Sequence, residues 1–330
     1  MRTVNRFVDV SVVMPAQQPV RLSVDICFPD ASVPLSGIVY CCIPGGGMKA
    51  SYFDLRFDGD ESFSFAAQMT QHGAVTVLIN PVAVGGSGIP DDGFAIDLNA
   101  FIDADALAVS NVLEALRHGT VDERLPPLTD PVVIGAGHSM GGMFTVMQQA
   151  RHRSYHAIVL MGFSLNGMPQ ILTPTEALCS GDAAAARAQV TQFARERFRE
   201  PFPTLQVNDQ SRAMLGQGNN DQGVRKAVAA ARDRLIAIGA MFALIPGSIA
   251  PESAVIDVPL MLIFGERDIC GTPHGVPASF PKVTDMELFV LSQSGHNHFT
   301  ATSRGVLFAR VARWADSLRE RFASCAVPPL

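Results

Sequence analysis

Charge is scarce in this sequence. Only 17% of its 330 residues are Asp, Glu, Lys or Arg, and no block of like charges interrupts it. A long solvated tail is therefore not expected. The 25 basic residues are outnumbered by 31 acidic ones, for a net charge of −6. That balance gives no electrostatic reason to expect nucleic acid as a partner. No apolar run reaches the roughly 18 residues of a membrane span, so none is expected. The opening stretch "MRTVNRFVDVSVVMP" lacks the unbroken apolar core and small-residue cleavage site of a secretory leader. The six cysteines, at 27, 41, 42, 179, 270 and 325, form no CxxC pair. Zinc and dithiol redox readings are weak on that ground. Cys41 and Cys42 lie in an apolar run and read as small buried hydrophobes, which fits a reduced, cytoplasmic compartment. HExxH and H-x-H-x-D-H are both missing, which disfavours a metal hydrolase, and nothing implies a cofactor.

Apolar residues are plentiful, at 48%, enough for a sizeable core. The length suits one domain with a large insertion. "RFVDVSVVM" and "VRLSVDICF" alternate apolar and polar around "PAQQP", which predicts an antiparallel hairpin at a sheet edge. Six short apolar runs then follow: "GIVYCCI" (37–43), "AVTVLI" (74–79), "VVIGAG" (132–137), "AIVLMGF" (157–163), "LMLIFG" (260–265) and "MELFVL" (286–291). Such continuous runs predict parallel strands covered on both faces. Helical stripes lie between them: Ala104, Ala108, Val112 and Ala115; Met143, Val146, Met147 and Ala150; Leu307, Val311, Trp314 and Leu318. The alternation predicts an α/β fold with a doubly wound, mostly parallel sheet.

About ninety residues between Phe163 and Leu260 break this rhythm, too many for a connecting loop. They hold two helical candidates, roughly 182–199 and 223–245. The expected organisation is a core of 1–164 and 258–330 with a helical cap inserted at 165–257.

The stretch "GAGHSMGG" (135–142) closes one predicted strand and opens a predicted helix. Within it Gly137-His138-Ser139-Met140-Gly141 reads G-x-S-x-G. A sharp strand-to-helix turn forces its central residue into a strained conformation and lifts that side chain above the sheet. Neighbours two positions away must be tiny. The helix start also directs free N–H groups at any negative charge that develops there. On these residues the chain resembles the α/β-hydrolase-fold serine hydrolases, with an insertion where that family carries its cap.

The resemblance implies an acid and a histidine after the serine, in that order. Asp268 follows the run "LMLIFG" and His296 follows "MELFVL", both on loops at strand ends where doubly wound sheets place ligands. Glu266 and His298 are their rivals. Asp268 is preferred because Glu266 sits closer to the strand end, and His296 because it follows Gly295; His298 is assigned to binding. His138 reads as structural. The resemblance further implies an oxyanion hole of two backbone N–H groups, one from Met140 and one from the loop "IPGGGMKASYFD" (43–54). Gly46 is chosen there, with Gly47 and Met48 left open. Pro44 stands where the family's HGGG form has histidine. "GGSG" (85–88) lacks dinucleotide-loop spacing, and the resemblance makes it part of the rim.

The expected activity is hydrolysis of a carboxylic ester or lactone. Acyl transfer, thioester or carbon–carbon cleavage on the same three residues are alternatives, as is a non-catalytic ligand-binding protein. The insertion holds nine basic and nine acidic residues and the apolar stretch "IAIGAMFALIPG". A largely apolar, uncharged small molecule is the expected partner, touched by Gly47, Met48, Met241 and Phe242. A homo-oligomer is left open.

Overall fold

A computed structural model describes residues 1–206 and 222–325. Its centre is one eight-stranded sheet, ordered β1-β2-β4-β3-β5-β6-β7-β8. The strands are β1 (Arg2–Asp9), β2 (Arg21–Phe28), β3 (Ile38–Ile43), β4 (Val75–Ile79), β5 (Val132–His138), β6 (Ala157–Met161), β7 (Leu260–Gly265) and β8 (Met286–Leu291). β2 runs antiparallel to both β1 and β4, and the pairings from β4 onward to β8 are parallel. Five of the six apolar runs became interior strands, and every residue of β3 to β7 is buried. The sixth, β8, forms the sheet's edge and is only half-buried up to Leu291, because no described strand pairs with its outer side. The first strand lies earlier than its alternation suggested, beginning at Arg2 where Arg6 was expected. It ends at Asp9, whose carboxylate accepts from the Ser11 N–H at 2.9 Å and turns the chain into a short 3₁₀ segment.

Nine helices are described: α1 (Phe65–Gln71), α2 (Leu98–Arg117), α3 (Met140–His152), α4 (Pro174–Ala177), α5 (Ala183–Phe198), α6 (Gln222–Ala230), α7 (Ala237–Leu244), α8 (Ala250–Ser253) and α9 (Arg304–Cys325). Two apolar clusters cover the two faces of the sheet. One joins α2 and α3 to Val39, Cys41 and Ile43; the other joins α1 and α9 to Ile38, Tyr40 and Cys42. This is the period-two alternation of a strand buried on both sides. Asp97 caps α2 by accepting from the Ala100 N–H at 2.8 Å, a contact that stabilises by about 1 kcal/mol. No helix among the described residues is long and apolar enough to cross a membrane.

α2 hides one acid in its apolar stripe. Asp105 is fully buried, and neither carboxylate oxygen has a hydrogen-bond partner among the described residues. Burial pushes its pKa from 3.8 up to about 8. Between those values the folded chain keeps a proton that the unfolded chain has lost, so stability falls as pH rises across that window. Asp105→Asn, neutral throughout, is expected to raise the melting temperature relative to wild type at pH 8, and by much less at pH 4. Equal shifts at the two pH values would show that Asp105 is not the protonated group.

The segment between β6 and β7 holds α4 to α8. The first expected helix is present as α5. The second, expected to run unbroken over 223–245, is cut in two between Ala231 and Ile236. There the backbone is extended and bonds sideways. Asp233 N–H donates to Gly47 O at 2.9 Å, Leu235 N–H to Pro203 O at 2.8 Å, and Lys49 N–H to Ala231 O at 2.8 Å. Isolated bridges join Met48 to Arg232 and Thr204 to Arg234. Partners on both sides satisfy the peptide groups as well as a helix would, so tertiary context overrides local preference. Three charges of the segment's neutral balance, Asp209, Arg212 and Asp221, lie outside the described residues.

Candidate active site

β5 ends at His138 and α3 begins at Met140, leaving Ser139 as the whole of the turn. Its backbone sits at φ 54°, ψ −123°, a region that a non-glycine residue enters only under constraint. The Ser139 N–H donates to Met161 O at 2.8 Å, which pins the turn to the end of β6. The flanking glycines are required by contact. A Cβ at Gly141 would meet Ile43 O and Pro44 O, and one at Gly137 would meet Gly141 O and Thr145 Oγ1. The Ser139 hydroxyl makes no capping bond to α3 and the residue is half-exposed. It stands free at the positive end of a thirteen-residue helix.

Asp268 and His296 come together at the carboxyl ends of β7 and β8. His296 Nδ1 lies 2.7 Å from Asp268 Oδ1, with side-chain exposures of 4% and 1%. Because a carboxylate only accepts, Nδ1 carries the proton and Nε2 has the free lone pair. Burial alone would raise the Asp268 pKa. Hydrogen bonds from His296 and His298 more than offset it and hold the carboxyl well below its usual range. The His296 ring reaches the serine turn through His138, whose centroid is 4.8 Å away. His138 Nε2 bonds His296 O at 2.9 Å, and the Tyr52 ring packs against it, tilted by 33° with centroids 4.7 Å apart. Burial first, then the neighbouring imidazoles, keep the His138 pKa well below 6.5. It braces the site as a neutral ring.

The two rivals are resolved by position. Glu266 is exposed and turns outward, accepting from the Gln293 N–H at 2.8 Å. His298 is not a binding residue at the surface; it is fully buried and its Nε2 lies 3.0 Å from Asp268 Oδ2. A 3₁₀ turn over His298–Thr300 folds it back beside His296, where an extended loop would have splayed the two apart.

The glycine loop after β3 makes a tight turn. Met48 N–H donates to Gly45 O at 3.1 Å, and Gly47 takes φ +75°. The Met48 N–H is therefore spent inside the turn, leaving Gly46 and Gly47 as the candidate donors toward Ser139. A Cβ on Gly46 would lie 2.6 Å from Leu235 Cδ1 and 3.4 Å from Met140 Sδ. The extended strip of the insertion thus closes over this loop. Asp233 ties it down further, its Oδ2 accepting from the Gly85 N–H at 2.8 Å in the "GGSG" loop. Leu235 and Asp233 had no signal in the sequence, because they fell inside an expected helix. Met241 and Phe242, expected to touch substrate, are fully buried and expose no surface to it. α7 packs against both α5 and α3, so a helix apolar on every face spends those faces on the core.

Donor atoms of Asp268, Cys270 and His296 lie within 4.8 Å of one another, a spacing that a metal ion would fit. Those atoms are already committed. Each Asp268 oxygen takes two hydrogen bonds, and the Cys270 thiol donates to Gly162 O at 2.8 Å. Burial also raises that thiol's pKa well above 9.0, away from the thiolate that a metal would need.

A sequence profile of the alpha/beta hydrolase family matches residues 42–311, from the end of β3 into α9. The chain belongs to the alpha/beta hydrolase family. Solved structures agree on the fold of this family member. The proline iminopeptidase of Mycobacterium smegmatis aligns with a TM-score of 0.61 at 17% identity, over 96% of this chain and 99% of that one. The monoacylglycerol lipase of Paleococcus ferrophilus aligns at 0.61 and 14%, over 90% and 99%. A thioesterase domain from the curacin biosynthetic pathway aligns at 0.54 and 14%, over 96% and 100%. No curated protein matches the sequence.

Proposed function

We propose that this alpha/beta hydrolase is a serine hydrolase that cleaves a carboxylic ester or lactone of a largely apolar, uncharged substrate. The observations that carry the reading are the strained Ser139, cleared by its glycines, and a buried Asp268–His296 pair joined to the serine turn through His138. Ser139 attacks the carbonyl carbon while His296 Nε2 takes the hydroxyl proton. Asp268 holds the imidazole in the Nδ1–H tautomer and supports the imidazolium. N–H groups of Met140 and Gly46 hold the oxyanion at the start of α3. His296 returns its proton to the leaving alcohol as the tetrahedral adduct collapses. Water then attacks the acyl-enzyme by the same route.

Residues 165–257 act as a cap over the core of 1–164 and 258–330. Its extended strip supports the apolar substrate reading. Leu235 and the Met140 thioether flank Gly46 with hydrocarbon and soft sulfur.

The test is a series of neutral esters and lactones of growing acyl or ring size. Each added methylene should raise kcat/KM a few-fold until the pocket is full, at about 0.8 kcal/mol per buried CH₂. A preference for anionic or highly polar substrates would overturn the substrate class.

A further inference from the structure

Asp268 is held by more than the pair needs. Oδ1 accepts from His296 Nδ1 at 2.7 Å and from the Ile269 N–H at 2.8 Å. Oδ2 accepts from the Gly265 N–H at 3.0 Å and from His298 Nε2 at 3.0 Å. Two imidazoles therefore share one carboxylate, one on each oxygen. The His298 side chain is fully buried. Its turn is fixed by Phe299, which stacks on Tyr52 and Phe65 at centroid distances of 5.0 and 5.7 Å. Since the carboxylate can only accept, His298 must carry its proton on Nε2. Its Nδ1 is then a bare acceptor with no hydrogen-bond partner among the described residues. That is a costly arrangement for a residue whose task is only to fill space.

Resting on the assignment of Ser139, Asp268 and His296 given above, we propose that His298 is a positioning residue: its Nε2–H fixes the second oxygen of Asp268 and takes a share of the carboxylate's charge, which sets how strongly Asp268 supports a proton on His296. The titratable groups around His298 are few. Asp268 is bonded to it, the His138 and His296 rings lie at 5.6 and 6.3 Å, and Tyr52 and Cys270 stand beside the carboxylate. Of these only Asp268 is charged while His296 rests as the free base. Withdrawing the His298 donor leaves Asp268 more basic. The imidazolium is then better supported, and His296 stays protonated to higher pH.

The experiment follows the rate of Ser139 labelling by a fluorophosphonate against pH, since labelling needs the unprotonated base. In His298→Leu, which removes the donor and keeps the site dry, the acid limb should move up by about one pH unit. His298→Gln, whose amide can donate, should return the limb toward wild type. A Leu variant whose limb overlays that of wild type overturns the proposal, even if its rate is lower at every pH, because loosened packing lowers rates without moving the limb. Asp268→Asn is the separate control. Undiminished labelling in that variant would remove the underlying assignment instead. Should the Leu variant fail to fold, wild-type protein labelled with [¹⁵N]histidine decides the matter by NMR. A single Nε2–H tautomer at His298 is expected, and an Nδ1–H tautomer overturns the proposal.

Discussion

Ser139→Ala is expected to lower turnover of its best ester by roughly 10⁴-fold or more and to abolish fluorophosphonate labelling. The folded state should hardly notice. The hydroxyl makes no capping bond to α3, and the turn is fixed by backbone contacts: Ser139 N–H to Met161 O at 2.8 Å, and Gly142 N–H to Ser139 O at 2.8 Å. Alanine adopts the same backbone conformation at the same strain, since both residues carry a Cβ. The melting temperature should therefore stay within about 2 °C of wild type, as expected when no buried contact is lost. Turnover within about tenfold of wild type, in a variant that melts normally, would mean that another group is the nucleophile.

The elbow was legible because its constraint is local. Gly137 and Gly141 must be glycine for contacts within a few residues and one neighbouring strand, so the pattern survives in the one-dimensional order. The interior strands were legible for a similar reason, since burial on both faces leaves β3 to β7 with almost no polar side chains. What the sequence hid was set by distant partners. Residues 231–236 carry a helix-compatible composition, and the peptide groups of Gly47, Lys49 and Pro203 draw them into an extended strip. Asp233 bonds to Gly85, 148 positions earlier, and no spacing rule reaches that far. Nothing local to Asp105 says that its face of α2 is a buried one. The assignment of His298 to binding missed the local turn. A 3₁₀ turn, stabilised by the Phe299 ring stack, made room for both histidines on one carboxylate.

Asp268→Asn should be the second large loss, about 10³–10⁴-fold in kcat. The asparagine amide matches the carboxylate in size, so geometry is kept while the chemistry changes. If its oxygen faces His296, the pair keeps the Nδ1–H tautomer but no negative charge supports the imidazolium. If its NH₂ faces His296, the ring flips tautomer and Nε2 can no longer take the serine proton. The amide NH₂ also meets a donor in either orientation, the Ile269 N–H at the Oδ1 position or both the Gly265 N–H and His298 at the Oδ2 position. Stability changes too, with a defined sign. The Asp268 carboxyl is held well below its ordinary value of 3.8, so its contribution is present above that value and is lost as pH falls below it. The Asn variant should therefore melt lower than wild type at neutral pH, with the gap narrowing in strong acid. Rates belong at a temperature where both chains are folded. Glu266→Gln is the matched comparison two residues away. Its carboxylate is exposed and meets only the Gln293 N–H, a bond that the Gln amide oxygen can replace, so turnover should stay within about threefold. A large loss in Glu266→Gln beside a small one in Asp268→Asn would move the acid by two residues. It would also leave the four hydrogen bonds on Asp268 as scaffolding for the loop after β7.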